Sequence, residues 1–134
     1  MITSIEVKHF PIDNPSALIG YALDKYGDKD GFMLLHSSDN SQKSYLLLEP
    51  VFKIYADSKK SYLEDKTFEN ANQALKEITK SLHSEEFTEY KNLPLLSGEL
   101  SYEYLHEGDK VPRGEKDEIQ SPLYLFYLYS KIIE

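Results

Sequence analysis

The 134-residue chain contains no cysteine, no tryptophan and no long run of apolar residues. Without cysteine there is no disulfide framework, no thiolate metal site and no cysteine nucleophile. No apolar run approaches the roughly 20 residues that cross a bilayer as a helix, and Met1–Phe10 lacks the basic and apolar regions of a signal peptide. We therefore expect a cytoplasmic protein that has no membrane partner.

Basic residues are few relative to acidic ones. The chain has 15 Lys and Arg against 23 Asp and Glu, a formal net charge of −8. This sign repels nucleic-acid phosphates and anionic membranes, so it argues against a nonspecific nucleic-acid partner. An anionic small molecule is still compatible with it, because a local pocket can oppose the overall field. The length is that of one domain, and the composition is ordinary for a folded protein.

The stretch Gly31–Pro50 organises the prediction. It holds two short apolar runs, Phe32–Leu35 and Tyr45–Leu48, separated by the polar segment His36–Ser44. Short apolar runs bounded by turn-forming residues predict buried strands. The polar segment should then lie at the rim of the structure that the two strands build, which is a natural place for a ligand.

The remaining pattern predicts two helices and several further strands. Asn14 and Pro15 are typical of a helix start and Gly27 of a helix end, and Asn70–Leu82 carries a single apolar stripe. The last apolar run is β-prone on both faces and predicts a central strand. We expect an α+β fold with an antiparallel sheet and two packed helices, at about 14–26 and 70–83. Further strands are predicted at Ile2–Phe10, Val51–Tyr55 (separated from the previous strand by Pro50), Ser61–Glu64, Leu93–Leu105 and Leu123–Ile133.

No complete active site is visible in the sequence. The four histidines are far apart and lack metal-ligand spacing, and no serine lies in a G-x-S-x-G elbow. His36 is the best candidate, because it ends a buried run and begins a polar loop. Ser37 and Ser44 would either donate to a ligand or cap the loop, and capping is favoured because hydroxyls readily bond local backbone.

Four segments follow one another along the chain: LLHS (Leu34–Ser37), KSYLLLEP (Lys43–Pro50), LPLLSGELSYEYL (Leu93–Leu105) and SPLYLFYLYSKII (Ser121–Ile133). In this order they resemble the N-terminal region of component I of two chorismate-utilising enzymes, aminodeoxychorismate synthase and anthranilate synthase. In that family a strand ending in L-L-x-S leads through a polar loop to a strand like Y-S-F-x-G-x-x-P, and a later segment reads L-P-x-x-G-G-x-x-G-Y.

One residue favours one branch of this family. The anthranilate enzymes usually carry Glu before the Ser of the L-L-x-S element, whereas the aminodeoxychorismate enzymes can carry His, as at His36. The sequence departs from the family pattern at four positions. Lys43 stands where an aromatic residue is common, and Leu47, Ser97 and Ser101 stand where glycine is common.

The resemblance implies that residues 1–134 form a single N-terminal domain, part of a β-sandwich, in a longer enzyme. The chorismate site, its Mg²⁺ and the catalytic residues would belong to a C-terminal domain that this chain does not contain. No catalytic residue, metal or cofactor is therefore expected in this chain, which alone should be inactive. The intact enzyme would convert chorismate and ammonia, supplied by a glutamine amidotransferase subunit, to 4-amino-4-deoxychorismate for folate synthesis.

The resemblance also implies a pocket for tryptophan or another amino acid at the polar rim. An apolar sheet face, built from Leu123–Ile133 and Leu100–Tyr104, is expected to be exposed or covered by a second copy of the chain in a homodimer. Two alternatives stay open: anthranilate synthase component I with a tryptophan feedback site, and a free-standing non-catalytic binding module. The residues that match the pocket are His36, Ser37, Lys43, Ser44, Tyr45 and Leu46.

Overall fold

The computed structural model describes residues 6, 8–37, 43–57, 59–82, 93–101, 104 and 122–134. Within them the chain forms six antiparallel strands in one sheet and two helices, which confirms the predicted α+β class. In chain order the elements are α1 (Pro15–Tyr26), β1 (Met33–Leu35), β2 (Tyr45–Ala56), β3 (Ser61–Leu63), β4 (Lys66–Phe68), α2 (Gln73–Leu82), β5 (Leu96–Leu100) and β6 (Tyr124–Ile133).

The two longest strands, β2 and β6, form the centre of the sheet. The strand order is β4-β3-β2-β6-β5, and β1 pairs with the first part of β2. Because β6 pairs with β2 along nearly its whole length and with β5 over Tyr124–Leu128, it is the central strand that its apolar composition predicts. This pairing places the start of β2 beside the end of β6.

The predicted break at Pro50 is wrong, because β2 runs through this proline as one strand of 12 residues. The register against β6 shifts between Pro50 and Phe52, and Glu49 adopts a positive φ of 55°. The Ser130 hydroxyl donates to the Glu49 carbonyl at 2.9 Å. Pro50 stays in register opposite Tyr129, whose amide donates to the Leu95 carbonyl on the far side of β6, so the missing amide of Pro50 removes no bond between β2 and β6. The extra residue of the β-bulge lies between Pro50 and Phe52, and pairing resumes beyond it.

The core lies on both sides of β6. On one side, Ile54, Tyr124 and Leu128 pack with the buried residues of α2, Ala74 and Ile78. A second cluster consists of Leu47, Tyr127 and Tyr129, with Met33, Tyr45, Leu125 and Ile132 packed against it. Alternate side chains of the aromatic run therefore enter two different clusters.

Helix α2 begins three residues later than predicted. The amide of Asn72 donates to the Asn70 side chain at 2.8 Å, so Asn70 holds a turn before the helix. One amide of the first helical turn is bonded from the sheet, because the buried Ser61 hydroxyl accepts from the Ala74 amide at 3.1 Å and donates to the Asn70 carbonyl at 2.6 Å. The Tyr124 hydroxyl donates to the Ala71 carbonyl beside it.

Helix α1 begins as predicted but is more exposed than predicted. The Asn14 side chain accepts from the Ala17 amide at 3.1 Å, the usual N-cap bond. Ala22 is the only buried residue of the helix, while Tyr21 and Leu23 are 60% and 50% exposed. Its apolar residues therefore contribute little to the core.

Three further predictions need correction. Lys8–Phe10, the end of the strand predicted from Ile2, has no regular structure; residues 1–5 and 7 lie outside the described residues. Strand β5 is shorter than the predicted Leu93–Leu105, and no residue of β1, which was predicted to be a buried strand, is buried. Tyr104 lies outside the strand, while 102, 103 and 105 fall outside the described part of the chain.

The apolar face on which the homodimer prediction depends is also largely covered within the chain. Every apolar residue of β6 is buried or half-buried, and only Ser130 and Lys131 of this strand are exposed. Leu100 is the exposed part of the predicted face. Strand β4, which was not predicted, extends the sheet beyond β3.

Candidate polar rim site

The ends of three strands meet at one rim of the sheet. Strand β1 ends at Leu35, which pairs with Tyr45 at the start of β2. On the other side of β2, Leu46 pairs with Ile133 near the end of β6. The polar residues that follow β1, precede β2 and follow β6 are therefore neighbours, although 91 positions separate Lys43 from Glu134.

Ser44 joins the two sides of the rim. Its hydroxyl oxygen accepts from the Ser37 amide at 3.1 Å and lies 3.1 Å from Nδ1 of His36. A serine hydroxyl has one proton and two acceptor positions. Since the bond from Ser37 uses an acceptor position, the proton of Ser44 is available to Nδ1. The capping role favoured for the loop serines thus describes Ser44, which holds the backbone of the facing strand end.

An ion pair lies at the same rim. The Lys43 ammonium is 2.7 Å from a carboxylate oxygen of Glu134, with both side chains well exposed. The hydrogen bond to Glu134 raises the pKa of Lys43. The pair connects the start of β2 to the end of β6, but solvent screens it, so it positions the two side chains more than it stabilises the fold.

The six residues of the predicted pocket differ in accessibility. His36 and Lys43 are exposed, while Ser37, Ser44 and Tyr45 are half-buried. Leu46 is only 4% exposed, so Tyr45 is the residue that can offer a wall to a ligand. Residues 38–42, between the two strands, lie outside the described residues.

A second polar cluster was not predicted from the sequence. The Tyr127 hydroxyl donates to one oxygen of Asp30 at 2.6 Å, and Lys53 approaches the other oxygen at 3.4 Å. The Tyr129 hydroxyl donates to the Gly31 carbonyl at 2.6 Å. These three contacts fasten the turn before β1 to the face of β2 and β6. We call Asp30, Gly31, Lys53, Tyr127 and Tyr129 the turn latch.

Burial and hydrogen bonding shift the pKa values of two residues in the turn latch, Tyr127 and Asp30. Desolvation, and then the bond to Asp30, raises the pKa of Tyr127 far above its ordinary value. The hydrogen bond from Tyr127 lowers the pKa of Asp30, with Lys53 adding to the effect. The hydroxyl therefore remains a donor and the carboxylate an acceptor across the ordinary pH range.

Gly31 is required in the turn latch for steric reasons. Its φ is +79°, and a Cβ at this position would lie 3.0 Å from both Pro50 Cγ and Tyr127 Cδ1. The sequence carries a partial signal for this cluster, because buried tyrosine hydroxyls need partners and GDKDG is a polar turn. It does not say which turn meets which tyrosine.

Among the residues that the structure describes, no group of three or more His, Asp or Glu side chains is placed to hold a metal ion. The same residues include no helix of the length and apolarity that crossing a membrane requires.

Comparison with protein-family models, with curated proteins and with solved structures finds no match to this chain. Function is therefore inferred from the residues and their contacts.

Proposed function

We propose that this chain is the N-terminal domain of aminodeoxychorismate synthase component I and carries an amino-acid pocket at the polar rim. The intact enzyme would convert chorismate and ammonia to 4-amino-4-deoxychorismate, with the chemistry and the Mg²⁺ in a C-terminal domain. A glutamine amidotransferase subunit would supply the ammonia. The role of this domain would be structural or regulatory.

The observation that carries the proposal is the pairing of β1 with β2. Two of the four segments that carry the resemblance, LLHS and KSYLLLEP, lie side by side in register, with Leu34 opposite Leu46 and Leu35 opposite Tyr45. Their polar ends meet through Ser44. The other two segments, which contain β5 and β6, also pair with each other. Each pairing supports the order of motifs on which the resemblance depends.

The chemistry of the rim suits a zwitterionic amino acid. Lys43 and the His36 ring offer donors for a carboxylate, and the Glu134 carboxylate offers an acceptor for an ammonium group. Tyr45 is half-buried next to these groups and offers a flat apolar surface. The carboxylate and ammonium groups of a ligand would replace the contact between Lys43 and Glu134. Solvent screens this ion pair, so breaking it costs little free energy.

Ligand binding tests the pocket. We expect L-tryptophan to bind the 134-residue chain with saturable heat in calorimetric titration. Ser44→Ala should weaken binding about fivefold, equivalent to the ~1 kcal/mol of a hydrogen bond. Ser16→Ala, at an exposed position in α1, is the matched control and should bind like the wild type. Absence of saturable binding by any aromatic amino acid would contradict the pocket.

Product analysis tests the domain assignment separately. The purified chain, incubated with chorismate, ammonium and Mg²⁺, should form neither aminodeoxychorismate nor anthranilate, as read by chromatography. Amination of chorismate by the chain alone would contradict the assignment. Strong inhibition by tryptophan of an intact enzyme that contains this domain and produces anthranilate would support the anthranilate branch instead.

A further inference from the structure

Ser44 has two polar neighbours and only one proton. The Ser37 amide is a permanent donor, so the bond of 3.1 Å to Ser44 Oγ always uses the oxygen as an acceptor. The bond between Ser44 Oγ and Nδ1 of His36, also 3.1 Å, can run in either direction. Its direction depends on which protons the imidazole carries.

With a neutral ring, the fixed bond from Ser37 favours one arrangement. Ser44 donates its proton to Nδ1, and the ring keeps its own proton on Nε2. Protonation of His36 places a hydrogen on Nδ1 as well, so Nδ1 becomes a donor. Ser44 Oγ then accepts from both neighbours, and its own O–H must turn away from them.

We propose that the polar rim is a proton-coupled carboxylate site, in which protonation of His36 reverses the His36–Ser44 hydrogen bond and presents the Ser44 O–H to a carboxylate. In the neutral state, the His36–Ser44 pair offers a ligand the Nε2–H of His36 alone. In the protonated state, the pair offers a positive charge and, as a second donor, the Ser44 O–H. This proposal adds a pH dependence to the amino-acid pocket proposed above. It rests on the proposed function only for the identity of the natural ligand.

Charged groups of all three strand ends bear on this equilibrium. The end of β1 supplies His36, the start of β2 supplies Lys43 and Tyr45, and the end of β6 supplies Glu134. Lys43 and Glu134 are paired at 2.7 Å and largely offset each other. Among the described residues of this rim, His36 is the side chain that can carry either one or two ring protons.

The tautomer of His36 tests the switch without any ligand. Nitrogen-15 spectra of the chain should show His36 as the Nε2–H tautomer above pH 8, with Ser44→Ala removing this preference and Ser44→Thr restoring it. His9, which is exposed, supplies an internal reference. An Nδ1–H tautomer in the wild type would overturn the proposal, because His36 would then be the donor at every pH.

Acetate is the probe for the site. Its affinity, measured from shifts of the Ser37 and Ser44 amide signals, should fall about tenfold for each pH unit above the midpoint of the His36 titration. His36→Gln should bind acetate weakly at every pH, and chloride at equal ionic strength should give no such dependence. Acetate binding independent of pH in the wild type would also overturn the proposal.

The two proposals can fail separately. The predicted tautomer and acetate response without tryptophan binding would leave the switch in place and remove the amino-acid function. Tryptophan binding that does not change between pH 5.5 and 8, together with the Nδ1–H tautomer in the spectra, would support the amino-acid pocket and overturn the switch.

Discussion

At the residue scale, Tyr127 shows how this sheet uses an aromatic residue with a polar end. Its side chain is 7% exposed, yet its hydroxyl reaches the exposed carboxylate of Asp30. The ring contributes to the core, and the hydroxyl fastens the turn before β1. Since 97 positions separate the two residues, this single bond links an early turn to the last strand.

Removal of the Tyr127 hydroxyl should therefore destabilise the chain slightly. Tyr127→Phe keeps the ring in the core but loses the bond to Asp30. Because Asp30 is exposed and can be hydrated instead, we expect a loss of only about 1 kcal/mol in the free energy of unfolding, measured with urea. Tyr21→Phe, at a position 60% exposed, is the control and should be neutral. Equal stability of the two variants would show that water replaces the bond without loss.

Stability at alkaline pH should depend on the same residue. Burial raises the pKa of Tyr124, Tyr127 and Tyr129 above the ordinary value near 10. A raised pKa in the folded state means that stability is intact below pH 10 and is lost as pH rises, because the unfolded chain releases these protons first. Each tyrosine contributes a slope of at most about 1.4 kcal/mol per pH unit.

Urea unfolding at pH 9 to 11.5 measures this slope. Tyr127→Phe should reduce it, whereas Tyr21→Phe should not change it. A slope that stays the same in Tyr127→Phe would mean that Tyr127 does not titrate differently in the two states.

At the element scale, the start of α2 depends on a residue of β3. Ser61 is fully buried, and its hydroxyl serves the Ala74 amide and the Asn70 carbonyl at once. We expect Ser61→Ala to cost about 1–3 kcal/mol, because the buried Ala74 amide loses its partner, while the Asn70 carbonyl keeps the bond from the Gln73 amide. Thermal unfolding of the variant measures this loss.

Thr79→Ala is the matched control for Ser61→Ala. Thr79 is an exposed residue of the same helix, whose hydroxyl donates to the Leu75 and Lys76 carbonyls. Its removal should be neutral or stabilising, since alanine is the better helix former. If the two variants lost equal stability, Ser61 would have no special role at the helix start.

The pairing of β5 with β6 depends on Gly98. A Cβ at this position would lie 1.9 Å from the Leu125 carbonyl oxygen and 2.6 Å from Phe126 Cα, so the clash is with backbone. Gly98→Ala should separate the two strands and lower the melting temperature by several degrees, since even 1 kcal/mol corresponds to roughly 4 °C or so in a domain of this size.

Gly20→Ala is the opposite case and supplies the control. Apart from the backbone of its own helix and its chain neighbours, no atom of the described residues lies within 4 Å of a Cβ at Gly20, and the residue is inside α1. Alanine there should stabilise the chain by about 0.5–1 kcal/mol. Retention of the wild-type melting temperature by Gly98→Ala would mean that β5 can shift without loss.

Local pattern was sufficient to predict most elements but not their irregularities. The apolar runs of β1, β2 and β6 and the caps of α1 are local signals, and these elements are confirmed, although β1 is not buried as predicted. Pro50 predicts an interruption because a proline lacks an amide, but β2 continues through it in register opposite Tyr129, and the register shifts only after it. Of the apolar face that was predicted to be exposed, Leu100 at the end of β5 is exposed, whereas the apolar residues of β6 are buried or half-buried.

The rim illustrates the same limit for the candidate site. Placing His36, Ser37 and Ser44 together requires only that two adjacent runs pair, which the sequence predicts. The bonds of Ser44 depend on register, and a shift of one residue would turn its hydroxyl to the other face. The turn latch depends on contacts over 97 positions, for which a single sequence carries no pairing signal.

At the scale of the whole molecule, stability is distributed unevenly. Strands β2 and β6 supply Leu47, Ile54, Tyr124 and Leu128, all at most 4% exposed. Helix α1 supplies one buried alanine. The centre of the sheet should therefore open only with global unfolding, while α1 can open locally.

Hydrogen exchange tests this distribution. We expect the amides of α1 to exchange fastest among the two helices and the long strands, and those of β2 and β6 to exchange at the rate of global unfolding. Residue-resolved exchange by NMR measures both groups in one experiment. Protection of α1 equal to that of β6 would show that the helix folds as one unit with the sheet.

The bulge in β2 has a consequence for solubility. Strand β1 pairs with β2 up to Leu47, and β3 pairs with it from Ile54, on the same side. Between these two partners, the described strands leave part of that side of β2 uncovered, and an uncovered strand edge can template the addition of another chain. Pro50, which has no amide to donate, and the kinked Glu49 occupy this gap. We therefore expect Pro50 and Glu49 to disfavour the pairing of another chain with this part of the longest strand.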